Sequence, residues 1–157
     1  MRRIMLLLGL MAVMVVGAAA VAYAATITGT NGNDFLPGTG DRDTINGLGG
    51  SDEIRGKAGN DTLYGGGGAD DIFGQAGNDT IYGGNGADDL FGNAGDDKIF
   101  GGAGADEVDA GGGDDFINVA DNVEGNDSVV CGDGEDTVVA DHDDEVDNDC
   151  ENVDFQN

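Results

Sequence analysis

The sequence predicts an all-β fold, a parallel β-solenoid, and three observations carry that prediction. Residues 29 to 118 divide into ten consecutive nine-residue units, none of which gains or loses a residue. Position six of every unit is aspartate and position eight is always aliphatic. The residues flanking the aliphatic differ between odd and even units, so the full pattern repeats every eighteen residues. A strand turns alternate side chains to opposite faces. Two units per coil of a flattened helix would therefore point all ten aliphatics into one shared interior.

The first segment reads as an address. Met1-Arg2-Arg3 is a basic start, Ile4 to Val21 is an uncharged apolar run, and Ala22-Tyr23-Ala24 is a small-residue site. That order marks a secretory signal peptide over residues 1–24, with cleavage after Ala24 and an extracellular or cell-surface destination. An uncleaved anchor is the alternative, since the run approaches the roughly 20 residues that span a bilayer. Alanine and glycine in its second half weaken that reading. The remaining 133 residues (157 − 24) hold 4 basic and 32 acidic side chains, a net charge of −28 (4 − 32). Such a field repels nucleic acid and anionic lipid and attracts cations. Nucleic acid is therefore excluded as a partner, and no membrane span is expected after signal cleavage. With 29 glycines, one proline and no tryptophan in those residues, composition alone suggests disorder. The periodicity argues for order.

The units run from GTNGNDFLP at Gly29 to AGGGDDFIN ending at Asn118. Their fixed aspartates are Asp34, Asp43, Asp52, Asp61, Asp70, Asp79, Asp88, Asp97, Asp106 and Asp115. The aliphatics are Leu36, Ile45, Ile54, Leu63, Ile72, Ile81, Leu90, Ile99, Val108 and Ile117. Position four is glycine at Gly32, Gly50, Gly59, Gly68, Gly77, Gly86, Gly95, Gly104 and Gly113, with Asp41 the exception. Glycine tolerates positive φ and lets carbonyls approach an ion closely. The first six residues of each unit are thus expected to form a turn and the last three a very short strand.

These units match G-G-x-G-x-D-x-U-x, and the chain resembles the RTX, haemolysin-type family of secreted bacterial calcium-binding repeats. The resemblance is strict over residues 29–118 and continues loosely to about Asp136. It implies a parallel β-roll over residues 25–118 with Ca²⁺ as its cofactor. The implied ligands are the ten fixed aspartates together with Asp127 and Asp136, served by the position-four glycines. Pairing each strict-repeat aspartate with the one eighteen residues on gives about eight ions. The resemblance says less about biological role, because such repeats accompany toxins, proteases, lipases, epimerases and adhesins.

The chemistry of the residues agrees with the family. One aliphatic per nine residues is too little apolar surface to order the chain unaided, and carboxylates with loop carbonyls are the oxygen donors that Ca²⁺ prefers. Binding energy would then be folding energy. Mg²⁺ keeps its waters and fits less well, and Zn²⁺ lacks ligands, because the one histidine, His142, reads as solvated among acids. The two outward faces differ. One collects Thr44, Thr62, Thr80, Tyr64, Tyr82 and Phe100, and the other stacks Glu53, Asp71, Asp89 and Glu107 about 4.8 Å apart. Like charges so placed are destabilising unless neutralised. The aromatic rows read as ladder stacking.

After Asn118 the pattern stumbles, then resumes around Asp127 and Asp136 before the glycines disappear. Asp144-Glu145-Val146 and Glu151-Asn152-Val153 still place an acid two residues before a valine. Residues 119–157 read as degenerate repeats and a C-terminal cap of the kind a solenoid needs, with a frayed tail as the alternative. Cys131 and Cys150 are expected to pair with each other, as an even pair in a secreted chain most simply does. Intermolecular pairing stays open. No room is left for a catalytic domain, and no G-x-S-x-G, H-E-x-x-H or supported Cys/His pair is present. A non-enzymatic, calcium-binding protein with a structural or adhesive role is the leading reading, its partner a cell-surface or matrix component. A secretion- or folding-type RTX module, an extracellular buffering or matrix protein, and an ice-binding threonine face are the alternatives.

Overall fold

The computed structural model describes residues 24–121 and 127–156. The expected signal peptide and the stretch 122–126 lie outside the described residues. In chain order the strands are β1 (Thr26–Thr28), β2 (Phe35–Pro37), β3 (Thr44–Asn46), β4 (Glu53–Ala58), β5 (Thr62–Gly67), β6 (Asp71–Ala76), β7 (Thr80–Asn85) and β8 (Asp89–Ala94). They continue as β9 (Lys98–Ala103), β10 (Glu107–Gly112), β11 (Phe116–Asn118), β12 (Ser128–Asp133), β13 (Thr137–Asp141), β14 (Glu145–Val146) and β15 (Asn152–Gln156). Odd strands form one eight-stranded sheet and even strands a seven-stranded one. Every pairing is parallel, so the chain winds as a flattened solenoid of two strands per coil.

The register follows the eighteen-residue period. Ile45 pairs with Leu63 and Leu63 with Ile81 on one sheet, while Ile54 pairs with Ile72 and Ile72 with Leu90 on the other. The aliphatics of position eight form the core and are all buried, joined by Val129 and Val138 beyond the strict repeats. Strand alternation carries position six and position one of the next unit inward beside them. The fixed aspartates from Asp43 to Asp136 are consequently buried too.

The strands are longer than the sequence suggests. From β4 to β10 each has six residues, taking in positions one to three of the following unit. The turn shrinks to positions four to six. This corrects the expectation of a six-residue turn, and the reason lies at position two. Lys57, Gln75 and Asn93 have φ of 86°, 82° and 77°, so the chain bends there while Lys57 still pairs with Gln75 and Gln75 with Asn93. At position four the glycines from Gly50 to Gly113 have φ between 107° and 139°. Gly32 is the exception among the expected loop glycines and does not share the positive φ.

On the outside, Glu53, Asp71, Asp89 and Glu107 stand in one cross-strand row. Arg55 relieves its first end, pairing with Glu53 and lying over the rings of Phe35 and Phe73 at 5.6 and 5.7 Å. Tyr64, Tyr82 and Phe100 stack at 4.9 Å spacing on the opposite sheet, and Phe73 stacks on Phe91 at 4.8 Å.

The degenerate region changes the pitch without breaking the sheets. Glu107 pairs with Ser128, a step of 21 residues (128 − 107) where eighteen is the rule. Three extra residues are therefore absorbed before Asp127. The last coils then shorten to steps of 17 (145 − 128) and 15 (152 − 137). Cys131, buried at position one, is disulfide-bonded to Cys150. Beside them Asp149 accepts the Cys131 and Gly132 amides through its two oxygens at 3.3 and 3.0 Å.

Three variants have expected outcomes. Gln75→Gly should raise the urea midpoint by about 1 kcal/mol of stability, because it relieves a left-handed residue. Gly77→Ala should lower the midpoint, since it adds a Cβ at φ 125° against the Gly59 carbonyl. Replacing Cys131 and Cys150 together by serine should cost about 3 kcal/mol of C-terminal stability. Hydrogen exchange should then show lost protection at Val138 with Leu63 and Ile72 unaffected.

Candidate metal centre

The fixed aspartates form two columns along the interior corners of the roll. One runs Asp34, Asp52, Asp70, Asp88, Asp106 and Asp127, and the other Asp43, Asp61, Asp79, Asp97, Asp115 and Asp136. Each carboxylate reaches back one coil. The amide of Asp61 donates to Asp79 Oδ1 at 2.7 Å, that of Asp79 to Asp97 Oδ1 at 2.7 Å, and that of Asp70 to Asp88 Oδ1 at 2.9 Å. The same bond crosses the three-residue insertion, from Asp106 to Asp127 and from Asp115 to Asp136, at 2.8 Å.

The second oxygen is left over. Oδ2 of Asp52, Asp61, Asp70, Asp79, Asp88, Asp97, Asp106, Asp115, Asp127 and Asp136 is buried and has no hydrogen-bond donor. Native proteins rarely leave buried polar atoms unpaired, and a missing ion is one of the ordinary reasons when they do. Ten such atoms at equivalent places are a pattern rather than a defect.

The surroundings suit a hard cation. At position one, glycine leaves open the space that a side chain would fill. A Cβ on Gly74 would stand 2.5 Å from Asp79 Oδ2 and 2.8 Å from the Gly92 carbonyl oxygen, and Gly56 is placed in the same way against Asp61 and Gly74. The cradle is thus lined by a carboxylate and a backbone carbonyl, the donor types that Ca²⁺ takes. Sulfur and imidazole contribute nothing here. Cys131 and Cys150 are bonded to each other, and His142 lies against Phe155 at 5.7 Å.

Desolvation raises the pKa of the column aspartates from Asp61 onward. Burial pushes Asp79 and Asp115 up to about 6, and Asp88, Asp97 and Asp127 up to about 7, with the backbone amide at each carboxylate opposing the rise. Asp61, Asp70, Asp106 and Asp136 are raised for the same first reason.

Two of the expected ligands differ from the rest. Asp34 Oδ2 accepts from the Thr30 amide at 2.6 Å and from its hydroxyl at 2.8 Å. Asp43 Oδ2 likewise accepts from the Thr39 amide at 2.6 Å and hydroxyl at 3.0 Å. Sequence reasoning missed this pair of threonines, although their signal is visible: position two is threonine in the first two units alone among the ten. It also left out the far ends of the columns. Asp144 Oδ1 accepts from Asp127 at 3.4 Å and Glu151 Oε2 accepts from Asp136 at 3.0 Å. Their acid-x-valine spacing was the available clue.

A family model described as the RTX calcium-binding nonapeptide repeat (4 copies) matches residues 22–54, 46–81 and 82–117, together 96 of the 157 residues (117 − 22 + 1). The chain belongs to the RTX calcium-binding repeat family. No curated protein and no solved structure matches it. In this RTX chain the family match ends at residue 117, whereas the ladder of buried aspartates goes on through Asp127 and Asp136.

The pH dependence of the metal-free chain follows from the raised values. Between the ordinary carboxylate range and about 7, the folded chain holds protons that an unfolded chain has released. Stability without metal therefore falls as pH rises through that window. In chelator, lowering the pH from 7.5 to 5 should increase the β signal in far-UV circular dichroism. A β signal that declines over the same range would contradict the burial of the columns.

Proposed function

We propose that this RTX chain is a secreted calcium-binding β-roll that orders on taking up its ions and serves a structural or adhesive role outside the cell. The observation that carries the reading is the set of ten buried Oδ2 atoms without a donor. In water such a carboxylate is solvated, and in the roll it has lost that solvation without a protein partner, which costs several kcal/mol per ion when uncompensated. A bound Ca²⁺ compensates it and supplies positive charge between like-charged neighbours.

The carboxylates of Asp52 to Asp136 would hold the ions together with position-one carbonyls. Ten orphaned oxygens in two columns of five, with an ion shared between each neighbouring pair, give eight ions (5 − 1 in each column, twice). Finished sites need adjacent coils in place, so uptake and folding are coupled. Calcium is favoured over magnesium because the cradle offers dry oxygens in a setting that Mg²⁺, with its tight octahedron and retained waters, uses poorly. The N-terminal apolar run and the disulfide both suit an oxidising exterior. The reading assigns the chain no catalytic role.

Far-UV circular dichroism with and without chelator tests it. The β signal should rise cooperatively as calcium reaches about 10⁻⁴ to 10⁻³ M, the range of extracellular modules. Magnesium at the same concentration should give little change. Equal β content in chelator and in calcium at pH 7.5 would remove the claim that the ions order the roll.

A further inference from the structure

The first two repeats meet their aspartates in a different way from all that follow. In both, threonine at position two donates an amide and a hydroxyl to the oxygen that stays without a donor from Asp52 onward. Thr30 and Thr39 lack the positive φ found at Leu48, Lys57, Gln75 and Asn93, so their loops run differently and their amides turn onto the carboxylate. The β-strands β2 and β3 stop at three residues here, without the extension through positions one to three seen from β4.

We infer that Thr30 and Thr39 replace calcium in the first coil, which makes it an ion-independent N-terminal cap, and that the calcium ladder runs from Asp52 to Asp136. The inference rests on the calcium reading above. Two donors on Oδ2 satisfy it as far as a carboxylate oxygen ordinarily needs. An ion at Asp34 or Asp43 would have to displace two short hydrogen bonds to a charged acceptor. From Asp52 on, no such bond has to be broken. Solenoids need atypical terminal repeats to close their stacks. Here the departure is a two-residue substitution in an otherwise regular loop. The ladder keeps eight shared positions but lies one coil further toward the C terminus than the strict repeats alone suggest.

Calcium stoichiometry of the mature chain, measured by titration calorimetry and by equilibrium dialysis with atomic absorption, tests the inference. Asp34→Asn with Asp43→Asn should leave the number of bound ions within one of the unaltered chain. Asp127→Asn with Asp136→Asn should lower it by at least two. A loss of two or more ions in the first variant would overturn the inference. If that variant does not fold in calcium, Thr30→Gly with Thr39→Gly decides instead. A gain of one or two ions supports replacement by threonine, and an unchanged count overturns it. An unaltered chain that binds no calcium refutes the calcium reading itself, a result distinguishable from all of these.

Discussion

One contact, repeated from coil to coil, organises this molecule: a buried carboxylate whose Oδ1 accepts the amide of the aspartate one coil before it. A hydrogen bond to an ionised acceptor is among the stronger ones a protein makes. It ties successive coils together from the inside, where each unit otherwise contributes one aliphatic side chain. The same burial isolates Oδ2 and sets like charges about 4.8 Å apart along each column. Each aspartate from Asp52 to Asp136 therefore adds cohesion through one oxygen and repulsion through the other. Protonation or a divalent cation removes the repulsion and leaves the cohesion intact, so the two respond to pH and metal in related ways.

The glycines follow from that contact. From Asp34 to Asp106 the residue at position one of the aspartate's own unit is glycine, and a Cβ there would crowd the carboxylate, as Gly56 and Gly74 illustrate. Position four answers to a different neighbour. From Gly68 to Gly113 a Cβ at each glycine there would meet the carbonyl of the equivalent glycine one coil earlier, and each has a φ that an L side chain rarely adopts. Where the column nears its end, position one is Ala110, Val119, Cys131 and Ala140, all buried. The core there gains side-chain volume as the nonapeptide rule is relaxed. Apolar packing and a disulfide take a larger share in those coils.

Periodicity made most of the fold legible, because an alternation of two inside a unit of nine leaves a single way to put all the aliphatics on one side. The pairing of Leu63 with Ile81, and the acidic row from Glu53 to Glu107, follow from it directly. Strand length was not legible. Glycine at positions one to three reads as a turn from composition, but inter-coil hydrogen bonding keeps those residues in the sheets despite their poor β propensity. Nor could the spacing show that one carboxylate oxygen is taken by an amide eighteen residues upstream and the other left over. That distinction depends on geometry at a corner. The 17- and 15-residue steps at the C terminus were hidden too, since Asp144 and Glu151 keep the acid-x-valine spacing while the loops between them carry no fixed glycine.

The ends of the roll differ in how they manage charge, and the difference has a direction. Of the basic residues after residue 24, Arg42, Arg55 and Lys57 fall in the first coils and Lys98 further on. From residue 99 to the C terminus there are 19 acidic residues and no lysine or arginine. Burial raises the pKa of Asp61, and Arg42 opposes the rise. Asp97 and Asp127 have no basic neighbour among the charges acting on them, and their other aspartate neighbours push the values further up. In the reading advanced here, dependence on the cation therefore grows along the axis. It is least where threonine hydroxyls and arginine are at hand, and greatest where only carboxylates remain. The disulfide from Cys131 to Cys150 and the Asp149 bracket sit at that second end. A covalent closure is placed where no lysine or arginine follows in the sequence and the nonapeptide pattern has lapsed.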